Sequence, residues 1–449
     1  MLEKCNYIDA MKLLDEKKGD FDRQLKNLLT RPAPDRDPSV VGAVAEIIDN
    51  VAKDGDDALF DYCRKFDKAD LDSSNVEVSL EEIEASFDKV PEDLLRAIET
   101  AHRRVMNYHE HQLEKCRCES FEYADETGIK LGMRVEPLTR VGIYVPGGKA
   151  AYPSSVLMAA VPAALAGVDE IIMVSPQRGD AFHPHLAAAA SIAGVDRVFR
   201  IGGAQAVAAL AFGTESIPRV DKIVGPGNAY VACAKRMLYG QVDIDMVAGP
   251  SEVLIISDGG ADPAFIAADL LSQAEHDETA RPIFITTGGR EAEAVVEEVA
   301  RRLETIERNE IAKKAVDENG AVILVKDLDG AARIANMIAP EHLEILCEKP
   351  RKLADKIKYA GAIFIGEMTP EPLGDYIAGP NHILPTGGSA RFRGPLGVYD
   401  FFRRSSVMEA DKKSFLKMAD DVVTLAKSEG LGAHAQSVLI RLAKEKPKK

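Results

Sequence analysis

From residue 140 onward the chain alternates short apolar runs with glycine turns and helical stretches. RVGIYV (140–145), DEIIMVS (169–175), DRVFRIGG (196–203) and DKIVGPG (221–227) recur at roughly 25–30 residues, the size of a strand–helix–strand unit. The segments between them, SSVLMAAVPAALAG and AQAVAALAFG, carry side chains small enough to pack closely on a sheet. A second series follows: EVLIIS (252–257), PIFITTG (282–288), AVILVKD (321–327), HLEILC (342–347) and AIFIG (362–366). Near-continuous apolar strands separated by helices predict parallel sheets covered on both faces. Two sheets are expected, one near 144–249 and one from 252–366.

The first ~115 residues read as helices. Ser79-Leu80-Glu81-Glu82 fits a capping box, and Pro91 suits the first position of the long helix that follows, to about Gln112. This helical part is expected to pack on the second sheet. Glu119 to Val135 alternates as a hairpin. Glu367 to Val398 is rich in Gly and Pro and has little periodicity; a loop of that length inside a compact protein points to function. From Asp411 the pattern is amphipathic helix, interrupted at Gly430-Leu431-Gly432.

Composition narrows the partners. The 449 residues carry 56 basic and 72 acidic side chains, a net charge of −16, which argues against nucleic acid or an anionic membrane as partner. No apolar run reaches the ~18–20 residues of a bilayer span. Val156 to Val168 comes nearest, and Pro162 interrupts it. The charged N-terminus lacks a signal-like apolar core, so a cytoplasmic protein is expected. Six scattered cysteines are too few for a disulfide scaffold, and Cys116-x-Cys118 lacks the second pair a zinc ribbon needs.

Candidate chemistry lies at the ends of elements. Gln273 and His276 are three residues apart on a helix end and face one spot. Glu341 and His342 pair a carboxylate with an imidazole where a strand begins, the ingredients of a general base near neutral pH. Asp375 and His382 share a glycine-rich loop, and His434 follows a helix break near Glu429. Each feature taken alone is also compatible with an ordinary surface turn or helix end. The dinucleotide fingerprint G-x-G-x-x-G is missing, yet Val145-Pro146-Gly147-Gly148 and Gly225-Pro226-Gly227-Asn228 follow strands where open α/β sheets bind ligands. Cys233, His183 and His185 read as structural.

RVGIYVPGGKAAYPSSVLM, IGGAQAVAALAFGTESIPRVDKIVGPGNAYV, AGPSEV, DLLSQAEHD, APEHLEI, GDYIAGPNHILPTGGSARF and EGLGAHAQSV, in this order and spacing, resemble the histidinol dehydrogenase family from about Arg31 to the C-terminal helix. The resemblance implies an α/β fold of two Rossmann-like, aldehyde-dehydrogenase-like parallel-sheet domains in an intertwined homodimer with shared active sites. It implies oxidation of L-histidinol to L-histidine via L-histidinal with two NAD+, the final step of histidine biosynthesis, and one Zn2+ per subunit. By motif match Gln273, His276, Asp375 and His434 would ligate zinc, and Glu341 and His342 would be the catalytic pair. Ser251, Gln273, His276, His342, Asp375, His382, Glu429 and His434 would bind substrate, and Tyr144, Gln205 and Asn228 would bind NAD+. Glu429 and His434 would come from the partner subunit.

The expected division is an N-terminal helical arm (1–30), a discontinuous α/β domain (31–143 and 250–397), an inserted NAD-binding domain (144–249) and a C-terminal helical dimerisation tail (398–449). Phe392-Arg393-Gly394-Pro395 departs from the small residues common in the family. A cationic pocket at Arg393 would suit an anionic substrate, so a zinc- and NAD-dependent dehydrogenase of a sulfonated diol such as sulfopropanediol is the alternative.

Overall fold

The computed structural model describes residues 11–445 except 32, 117, 148–150 and 178–180. Cys5, Gly148 and the basic ending 446–449 therefore lie outside the described residues.

Two parallel sheets form the frame. The first contains, in spatial order, Arg197–Phe199, Glu170–Val174, Arg140–Tyr144, Lys222–Val224 and Asp243–Ile244. Strand order reverses beside Arg140–Tyr144, which opens a crevice between the turns after that strand and after Lys222–Val224. The second sheet runs Lys12–Asp15, Ala321–Leu324, Arg281–Thr286, Glu252–Ser257, His342–Leu346 and Ala362–Ile365. Its central strands, Arg281–Thr286, Glu252–Ser257 and His342–Leu346, are buried along their whole length, as strands with helices on both faces require.

The expected hairpin is present as Phe121–Ala124 and Lys130–Pro137, and the capping box at Ser79 closes as read. Three expectations are corrected. The arm over 1–30 is not all helix: Lys12–Asp15 pairs in parallel with Ala321–Leu324, and among its described residues only Phe21–Leu29 is helical. A four-residue strand has too little periodicity to declare itself, and a sheet edge supplies its hydrogen bonds. The tail is not all helix either, because Phe402–Glu409 pairs antiparallel with Lys130–Pro137 before the helices Lys412–Ser428 and Gly432–Glu445.

The N-terminal helices, third, pack on the other sheet. The helices Pro38–Tyr62 and Glu92–Lys115 cover the five-stranded sheet rather than the six-stranded one. Ile47, Val51 and Leu59 join Val207, Leu210 and Phe199 in one core, while Ile98, Ala101 and Val105 join the helix Pro153–Ala166 in another. Alanine-rich helices leave room for a second helical layer, which explains the choice.

Pro153–Ala166 is buried almost throughout and contains Pro162. A proline there cannot donate to the carbonyl four residues earlier, which is that of Met158. The Asn381 side-chain amide donates to it instead, at 2.6 Å. The long loop is thereby fastened to the sheet-covering helix.

Candidate active site

A cavity of about 850 Å³ lies where strand ends of the first sheet face strand starts of the second. Pro146 and Gly225–Asn228 line one side, and Ser251, Gln273, His276, Glu341, His342, Asp375 and His382 line the other. Seven of the residues singled out from sequence on that second side therefore meet in one pocket.

Glu341 and His342 are placed by the neighbouring strand. The helix Leu328–Ile338 ends at Ala339 in a left-handed conformation, φ +49°, and Pro340 leads into the pair. A non-glycine residue held this way is strained, and such strain persists where surroundings enforce it. Arg31 supplies part of that support: it donates to the Ile338 carbonyl at 2.6 Å and pairs with the Glu252 carboxylate at 2.5 Å. The Glu252 backbone then grips both residues of the pair. Its N–H donates to Glu341 Oε2 at 2.8 Å, and its carbonyl accepts from His342 Nδ1 at 3.0 Å. Nδ1 thus carries a proton in either charge state, and Nε2 is the nitrogen that gains or loses the titrating one. Nε2 is buried without a hydrogen-bond partner, facing Asp375 Oδ1 at 3.7 Å and Glu371 Oε1 at 3.9 Å.

Asp375 rides on the short helix Glu371–Tyr376, four residues after Glu371 and on the same face. Its backbone carbonyl accepts from His382 Nδ1 at 2.9 Å, and His382 Nε2 lies 3.4 Å from Ser155 Oγ. Gln273 ends the helix Pro263–Ala274 and is buried with its side-chain oxygen unpaired. His276 follows in the next turn, on the cavity wall.

The electrostatics are dominated by crowded carboxyls. Burial pushes Glu341 up to about 7, against the pull of His342. Burial alone would lower His342, but Glu341, Asp375 and Glu371 outweigh it and raise the imidazole to about 10. Burial and the Asp375 charge raise Glu371. Asp375 is held below its ordinary range even though burial works the other way, because His342 and His382 stand beside it. Beneath them, Glu344 is raised by burial and by Asp269. So much buried negative character around one imidazole favours a cation.

Other expected residues lie apart. Asn228 lines the cavity and caps the helix Ala229–Leu238, accepting from the Tyr230 and Val231 N–H groups. Tyr144 and Gln205 are buried around Gly203 and do not line the cavity: the Tyr144 hydroxyl accepts from Gly203 N–H at 3.0 Å, and Gln205 donates to Asp67 at 3.2 Å. Glu429 and His434 are exposed on the C-terminal helices, away from the cavity of their own chain. Arg393 is exposed and contributes no charge to the cavity wall. Sequence reasoning passed over Glu252, Glu371, Asp269 and Glu344. The only available signal was Glu371 standing one helical turn before Asp375.

A parallel α/β crevice opening onto a carboxylate–imidazole pair and a set of nitrogen and oxygen donors is an enzyme active site equipped for general acid–base chemistry beside a bound ligand. The family model for histidinol dehydrogenase matches residues 29–442. The chain is 53% identical over 399 residues to histidinol dehydrogenase of Aquifex aeolicus (strain VF5), covering 89% of this chain and 92% of that one. It is 50% identical over 433 residues to histidinol dehydrogenase of Geobacter sulfurreducens, covering 96% and 100%. The crystal structure of histidinol dehydrogenase from Elizabethkingia anophelis superposes with a TM-score of 0.87 at 34% identity, covering 97% of this chain and 98% of that one. The chain belongs to the histidinol dehydrogenase family.

Proposed function

We propose that this protein oxidises L-histidinol to L-histidine through L-histidinal, with two NAD+ as hydride acceptors. The observation that carries the reading, beside family membership, is the Glu252 backbone clamp. It holds Glu341 and His342 together at the cavity and leaves His342 Nε2 bare.

The donor set suits a divalent cation. Gln273 offers a buried, unpaired oxygen, His276 an imidazole on the cavity wall, and Asp375 an ionised carboxylate. Nitrogen and oxygen donors of this kind fit Zn2+, with His434 of the partner subunit as the fourth. A cation held there would supply an anchor for the substrate's amine and imidazole and would offset the Asp375 charge that raises His342.

In the first oxidation His342, freed of its Nε2 proton where a bound cation would offset the carboxylates that raise it, accepts the hydroxyl proton of the alcohol on Nε2. In the second, Glu341 takes a proton from the water that attacks the aldehyde carbon. Ser251, His382 and the partner subunit's Glu429 orient the substrate. Asn228 and the helix N-terminus it caps face the dinucleotide, and Tyr144 and Gln205 hold the crevice around Gly203 for it. The five-stranded sheet, with Arg140–Tyr144 as its central strand, forms the nucleotide-binding unit, and the enzyme works as a cytoplasmic homodimer with sites shared between chains.

The test is NADH formation with L-histidinol and with a sulfonated diol, with metal content measured on the same sample. Two NADH per histidinol are expected, with little turnover of the diol. No oxidation of histidinol by zinc-loaded protein overturns the reading.

A further inference from the structure

We propose that His342, Glu371 and Asp375 form a second divalent-cation site, whose occupation takes the general base out of service. One ligand atom from each of the three lies within 4.8 Å of the others. His342 is 3% exposed, and its Nε2 has no hydrogen-bond partner while pointing at both carboxylates. Glu371 is equally committed: Ser272 Oγ donates to Oε2 at 3.2 Å, which leaves Oε1 facing the imidazole.

The dimensions fit an ion. Tetrahedral bonds of about 2.0–2.1 Å separate ligand atoms by about 3.3–3.4 Å. The observed 3.7 and 3.9 Å close to that with movements of a few tenths of an ångström. Two carboxylates against one imidazole give the mixed oxygen and nitrogen set that Zn2+ and Mn2+ accept.

This site differs from the Gln273–His276 set by two of its three ligands. Asp375 belongs to both, and a carboxylate can bridge two ions through its two oxygens. An ion on His342 Nε2 occupies the lone pair that would receive the substrate proton. Excess metal therefore inhibits; that consequence rests on His342 being the base, whereas the binding itself does not.

The zinc-loaded protein is dialysed against rising free Zn2+, and bound metal and NADH-forming activity are both measured. Wild type takes up a second, weaker equivalent per chain, and activity falls as it binds. In Glu371→Gln the second step weakens at least tenfold, while the first is unchanged. A single binding step in wild type, or a second step equally tight in Glu371→Gln, overturns the proposal. A check independent of any variant uses Mn2+ added to zinc-loaded wild type. Electron spin echo modulation from one imidazole nitrogen supports the site, and its absence overturns it. Uptake of the second ion by protein that never oxidises histidinol upholds the site and overturns the functional reading.

Discussion

Asn381 completes the hydrogen bond that Pro162 denies to Met158, and so ties the active-site loop to a buried helix. Its side-chain oxygen accepts from Ile383 N–H at 2.9 Å, so His382 is bracketed by this one residue's bonds. Asn381→Ala leaves the Met158 carbonyl unsatisfied, at a cost of about 1–3 kcal/mol. Urea melts should show that loss. The KM for histidinol should rise more than kcat falls, because His382 loses its placement while the Glu341–His342 pair is untouched. A KM equal to wild type would show that His382 is placed without Asn381.

Glu341→Gln separates the two oxidations. The amide that replaces the carboxylate cannot take a proton from water, whereas His342 keeps its bond to the Glu252 carbonyl. Overall turnover should fall about 10²–10⁴-fold, the usual range for a general base. A rapid-mixing experiment with L-histidinol should show NADH formation stopping at no more than one equivalent per site. Histidine formed at the wild-type rate would remove Glu341 from the mechanism.

The legible and illegible parts of the chain differ for physical reasons. EVLIIS and HLEILC announce buried strands, because continuous apolar runs bounded by turns have few other homes. The amphipathic helix 38–62 shows that one face is buried, but a stripe does not say which sheet receives it, and it covers the five-stranded sheet. Lys12–Asp15 exists because Ala321–Leu324 offers it an edge. Glu371 and Glu344 look like surface carboxylates in sequence and are buried in the fold; only tertiary packing sets that. Motif spacing brought Gln273, His276, Asp375 and the Glu341–His342 pair to one cavity. It could not reveal the Glu252 backbone that orients the pair, because any residue type other than proline has both an N–H and a carbonyl.

Lys235 and Asp245 form a fully buried ion pair behind the Gly225-Pro226-Gly227 turn. Lys235 also donates to the Gly225 carbonyl at 2.8 Å, and Asp245 accepts from Gly225 N–H at 2.7 Å. Gly225 itself, at φ +106°, leaves no space for a side chain against the Tyr144 carbonyl. Lys235→Met strands a buried carboxylate and should cost about 3–5 kcal/mol. Adding Asp245→Asn should restore part of it, since the charge is gone and the amide oxygen still accepts from one of the two backbone N–H groups, Gly225 or Met246, that the carboxylate served. The KM for NAD+ should rise in the single variant and recover in the double. An unchanged KM for NAD+ in a folded Lys235→Met protein would detach this turn from cofactor binding.

His109 links stability to acid. It is completely buried between helices, with Nδ1 donating to the Val105 carbonyl at 2.8 Å. Tyr108 stands edge-on beside it. Burial lowers its pKa, and the Val105 and Leu396 carbonyls only partly oppose that. The unfolded chain then binds the proton that the folded chain refuses, so stability is full above the ordinary histidine pKa of about 6.5 and is lost as pH falls below it. Thermal melts between pH 7 and 5 should show a shallower decline in His109→Gln than in wild type. Parallel curves would mean that this histidine does not titrate on unfolding.

On the shared-site reading, one active site needs two chains. Glu429 and His434 are exposed and stand away from the cavity of their own protomer, although the metal and substrate reading calls on both. Glu341→Gln and His434→Ala should each be inactive alone. In a hybrid dimer one site receives both damaged residues, while the other receives an intact Glu341 from one chain and an intact His434 from its partner. Random re-association makes about half the dimers hybrid, each with one working site, so activity should return to about a quarter of wild type. Mixing after unfolding and refolding should restore that activity, and mixing without exchange should not. No recovery in hybrids isolated by differential tags would place His434 outside the site, and the fourth metal ligand would have to come from elsewhere.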